Sequence, residues 1–71
     1  MAKQDNYFLL DALAQRLEGE VAVHKANIRV YMQSATGIGE HPQLIEAIEA
    51  EVAKLAESQE KLDTIDRHFS V

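Results

Sequence analysis

Leu10, Ala14, Leu17, Val21, His24, Ile28, Tyr31 and Ala35 stand alternately four and three residues apart, and so do Ile45, Ile48, Val52, Leu55, Gln59, Leu62, Asp66 and Phe69. A ladder of this period keeps one seam on a single side of an α-helix, where a partner helix can cover it. The two ladders flank one break containing Gly37, Gly39 and Pro42. The chain therefore reads as all-α: an antiparallel, coiled-coil-like two-helix hairpin.

Local signals place the boundaries. Residues 1–5 are polar and aperiodic and read as a disordered tail. Asp5 or Asn6 can accept a hydrogen bond from an unpaired N–H of the first turn, and with Asn6 taken as the start helix 1 is predicted over about 6–34. Its interior weakness is Gly19, costing about 1 kcal/mol relative to alanine on an exposed face. In the turn, 35–41, Gly37 suits the left-handed residue after a helix and Ile38 can fold back on the last turn. Pro42 fits the first position of helix 2, where a missing N–H costs nothing, with His41 as an unusual cap. Helix 2, about 42–68, carries alanines at 47, 50, 53 and 56 and the four-apart pairs Glu57 with Lys61 and Asp63 with Arg67. The arms match in length, roughly 40 Å each at 1.5 Å per residue.

A chain of 71 residues is one domain and buries little of its surface when it folds alone. It has no cysteine, which removes disulfides and thiolate zinc sites as sources of stability and leaves self-association. On helix 1 the apolar stripe widens to Leu9, Leu13, Val23 and Val30, with Leu17 counted on both seam and outer face. Ala12, Gly19 and Ala26 form a small-residue row beside it. One facing helix cannot cover so broad a stripe, so Leu9, Leu13, Leu17, Val23 and Val30 are the predicted oligomer interface. A homodimer closing a four-helix bundle is the simplest assembly that encloses it.

Twelve acidic against seven basic side chains give a net charge of −5, which repels phosphate backbones and anionic headgroups, so neither nucleic acid nor membrane is an expected partner. No apolar stretch approaches a membrane span or a signal-peptide core, and the expected location is cytoplasmic. His24 and Gln59 occupy seam positions that are otherwise apolar. Since a buried polar group without a partner costs roughly 1 to 3 kcal/mol, both read as devices that fix register or oligomer state. Asp66, near the open end, reads as solvated.

No catalytic constellation is recognisable, and no enzyme or cofactor is expected. A carboxylate-bridged di-iron bundle needs Glu-x-x-His on facing helices, a spacing the chain lacks. Glu20 and His24 are four apart, but a metal site needs a third protein ligand, and His41 and His68 fall at opposite ends of a hairpin. Gly37-Ile38-Gly39 lacks the Gly-Lys-Ser/Thr and the preceding strand of a phosphate loop, and Glu40 would repel a phosphate.

The stretch from His24 to Phe69, above all YMQSATGIGEHPQLIEAIEAEVAKLAESQEKLDTIDRHF, resembles short helical proteins of marine bacteriophages and marine environmental sequences. The resemblance centres on Gly37-Ile38-Gly39-Glu40-His41-Pro42 and covers about two thirds of the chain. It implies a viral origin and expression inside a bacterial host, and carries no activity onto any residue. The expected function is structural: a self-associating interaction module. The alternatives are an adaptor that takes an amphipathic helix of a host or phage protein into its groove and, more distantly, a metal-binding bundle.

Overall fold

The structure, a computed structural model, describes residues 4–34 and 41–69. They form two helices, α1 (Gln4–Ser34) and α2 (His41–Phe69), packed against each other. Their relative direction follows from side-chain bonds: Glu20 meets Ser58, whereas Asn27, seven residues later on α1, meets Glu51, seven residues earlier on α2. The helices are antiparallel.

Helix ends differ slightly from the sequence reading. α1 starts at Gln4 rather than Asn6, and α2 runs from His41 to Phe69. Pro42 lies in the first turn of α2, where a missing N–H leaves no intrahelical bond unmade. Arg67 and His68 fill the last turn of α2 and favour the negative end of the helix dipole. Gly37, Gly39 and the rest of the turn lie outside the described residues, as does Ala35.

The hairpin is a rod of 58 × 15 × 12 Å with a radius of gyration of 16.5 Å, against about 11 Å for a compact domain of this length. Two layers of one helix each leave room only for a line of side chains. Accordingly Leu17, at 3% exposure, is the one buried hydrophobic residue among those described. Around it Leu10, Ala14, Val21, Ile28 and Tyr31 are half-buried, as the ladder of helix 1 requires.

On α2 the seam differs from the expected one. Ile48, Leu55 and Leu62 are shared, but the alternate positions are Leu44, Glu51, Ser58 and Ile65, each one residue before Ile45, Val52, Gln59 and Asp66. Ile45 is 64% and Val52 47% exposed, and Gln59, Asp66 and Phe69 are exposed too. The helix is rotated about the Ile48-Leu55-Leu62 line. Polar matching accounts for this: the observed face gives Glu51 to His24 and Ser58 to Glu20, whereas the other face would leave His24 without an acidic partner at its level. Of the two expected surface pairs, Glu57 and Lys61 meet at 3.4 Å, while Arg67 turns to Glu60 at 3.3 Å instead of Asp63. Such exposed pairs contribute little.

Candidate functional site

Two polar layers cross the seam along one flank. In the first, His24 Nδ1 lies 2.8 Å from Glu51 Oε1, and Asn27 Nδ2 donates to the same oxygen at 3.2 Å. The His24 and Glu51 side chains are only 17% and 12% exposed. Hydrogen bonds from His24 first, then from Asn27, hold the Glu51 carboxyl below its ordinary pKa. In the second layer Ser58, at 5% exposure, donates to Glu20 Oε1 at 2.9 Å, and Arg16 Nε lies 3.4 Å from the other carboxylate oxygen. No buried side-chain nitrogen or oxygen among the described residues lacks a partner.

His24 thus occupies the seam position expected of it, and its partner is Glu51, a residue the ladder of helix 2 had placed outside. Gln59, expected beside it in the seam, is exposed and donates to Asp63 on its own helix at 3.2 Å. The missed members, Asn27, Glu51 and Ser58, carried a signal. Glu20 and Asn27 are seven apart on one helix, and Glu51 and Ser58 seven apart on the other, so two polar rows of equal period can face each other. Glu20 bonds Ser58 and Arg16. Among the described residues no group of three or more histidine, aspartate or glutamate side chains could hold a metal ion.

The chemistry of the first layer is that of a bonded dyad. A carboxylate orienting an imidazole is half of a general-base arrangement, but Glu51 and Asn27 occupy the seam beside it, and the two grooves on the other flank are lined by other residues. Matched polar layers of this kind can fix register. Sliding either helix by one turn would part Glu51 from His24 and Ser58 from Glu20 together.

The opposite flank carries two open grooves. One, of about 590 Å³ near the turn end, has Ile28, Met32 and Leu55 as its floor and Lys25 and Arg29 beside them. The other, of about 300 Å³ near the open end, is lined by Ala14 and Leu62 with Glu18, Asp63 and Asp66. Lys25 follows Glu18 by seven residues and Leu62 follows Leu55 by seven, so both grooves share one side of the hairpin.

Of the predicted oligomer residues, Leu9, Val23 and Val30 are exposed on the side of α1 turned from α2, and Leu13 is exposed at its edge. Leu17 departs from the expectation: α2 covers it, so it belongs to the seam alone and is closed to a second copy. Ala12, Gly19 and Ala26 are exposed, and a Cβ built on Gly19 meets nothing within 4 Å. Among the described residues no helix is long and apolar enough to cross a membrane. Comparison with protein-family models, curated proteins and solved structures finds no match.

Proposed function

We propose that the chain is a non-catalytic structural or protein-interaction module that works as a self-associated helical hairpin, two copies closing a four-helix bundle. The observation that carries this is the mismatch between what the hairpin covers and what it leaves open. Among the described residues Leu17 is the one buried hydrophobic residue, while Leu9, Leu13, Val23, Val30 and Met32 on α1 and Ile45 and Val52 on α2 stand exposed. Burial stabilises by about 25 cal/mol per Å² of apolar surface, and one line of contacts offsets little of the cost of ordering so many residues. A second copy supplies the missing layer. α1 carries exposed apolar side chains on two of its sides, the outer stripe of Leu9, Val23 and Val30 and the flank of Met32, and either side can meet the second copy.

The groove of about 590 Å³ with its apolar floor favours one further reading, an adaptor that holds an amphipathic helix of another protein. A phage origin, which rests on the resemblance of residues 24–69, would place either activity inside a bacterial host. Sedimentation across a wide dilution series separates the two. A stable dimer supports self-association; a folded monomer at every concentration removes it and leaves the adaptor.

A further inference from the structure

We infer that the flank carrying the two grooves is the dimer face, and that a second copy docks on it with its hairpin reversed, so that the cationic half of each copy meets the anionic half of the other. The inference rests on the self-association proposed above and assigns its surface and direction. The row Asp11, Glu18, Lys25, Met32 climbs α1 at steps of seven, and Ile45, Val52, Gln59, Asp66 runs along the neighbouring side of α2 in the opposite direction. Near the turn end the flank therefore holds Lys25 and Arg29 around exposed Met32, Ile45 and Val52, with Glu49 as the acid beside them. Near the open end it holds Asp11, Glu18, Asp63 and Asp66, with no lysine or arginine at the corresponding positions.

A face polarised in this way is complementary to itself after a two-fold rotation about an axis across the rod, the isologous contact of a closed dimer. The polar layers put the middle of the rod near Glu20 and Ser58. Reversal about that level brings Arg29 to the height of the second copy's Asp11, sets Lys25 between its Asp11 and Glu18, and lays Val52 between the levels of Leu62 and Ile65. Docking with both turns at the same end would gather eight carboxylates from Asp11, Glu18, Asp63 and Asp66 of the two copies at the other end, a like-charge juxtaposition that suppresses association. The flank also draws on both helices of a rod 58 Å long and 12 to 15 Å across, on the scale of the roughly 800 Å² per partner of a stable interface. The outer stripe of α1 draws on one helix and is interrupted by Arg16, seven residues after Leu9 and seven before Val23.

The test uses the full chain and begins with its mass. If the unmodified chain is monomeric throughout, self-association fails and this assignment with it. Where a dimer forms, the double variant Lys25→Glu/Arg29→Glu should weaken it by roughly tenfold or more, as should Glu18→Lys/Asp63→Lys/Asp66→Lys, and mixing the two should restore a dimer of one copy of each. The recovery shows that each variant still folds when its charges are met, so that charge and not a damaged fold had kept like copies apart. A spin label at Gln43→Cys, made simple by the absence of native cysteine, reads the direction. Reversed copies place the two labels roughly 44 Å apart at 1.5 Å per residue, and co-directional copies about two helix diameters, roughly 20 Å. The short distance overturns the reversed arrangement. A dimer that Val23→Glu dissociates and Lys25→Glu/Arg29→Glu does not would move the interface to the outer stripe of α1.

Discussion

His24 and Glu51 are joined at 2.8 Å across the seam, and Asn27 shares the same carboxylate oxygen. In a hairpin with so short a core, this bond and the one from Ser58 to Glu20 decide which of two apolar faces α2 turns inward. Polar groups placed in this way can select one arrangement, at some cost relative to apolar packing.

Replacing one member of that layer should hurt more than replacing both. His24→Leu removes the larger donor to Glu51 and should lower melting by several degrees. The double variant His24→Leu/Glu51→Leu exchanges the pair for apolar contact and should melt near or above the original chain, with less uniform mass as register is freed. Thermal melts and light scattering on the three variants read both effects. A double variant no better than the worse single would mean that the layer is not a matched unit.

The acid limb of the stability curve carries the same signature. Glu51 is held below its ordinary value near 4.5 in the folded chain. Its contribution is therefore present in full above that value and is lost as pH falls through the depressed one. Urea melts between pH 6 and roughly pH 3 should show Glu51→Gln losing less stability on acidification than the original chain. Parallel curves would remove the depressed carboxyl from the account.

Ser58 is buried against the seam with one bond to make. Ser58→Ala should cost about 1 kcal/mol, or a fall in Tm of roughly 4 to 8 °C for a domain of this size. Gln59→Ala, one residue on and exposed, should change stability by no more than about 0.5 kcal/mol.

Gly19 sits in the exposed middle of α1 with open space where a Cβ would go. Gly19→Ala should stabilise the helix by up to about 1 kcal/mol and leave the mass unchanged. A loss of mass on this substitution would place a close helix contact on the small-residue row.

Much of this fold could be read in the chain. The ladder of α1 predicts its seam from Leu10 to Tyr31, because every position but His24 is apolar, or small in the case of Ala14. α2 was harder for a physical reason. Its two possible seams share Ile48, Leu55 and Leu62, and the remaining positions offer Leu44 and Ile65 on one side against Ile45 and Val52 on the other, nearly equal in hydrophobicity. Only the match of Glu51 to His24 and Ser58 to Glu20 separates them. That match depends on the level at which the helices face each other, which periodicity within one helix does not contain. The same ambiguity leaves Ile45 and Val52 as an apolar border beside the grooves.

If a second copy stabilises this hairpin, as proposed, Tm must depend on chain concentration. Circular dichroism melts over a thousandfold range of chain concentration should give a Tm that rises with concentration, because dissociation and loss of helix are then one event. A Tm independent of concentration, with full helix content at the highest dilution, would show that one chain holds the hairpin unaided and that no second copy is needed.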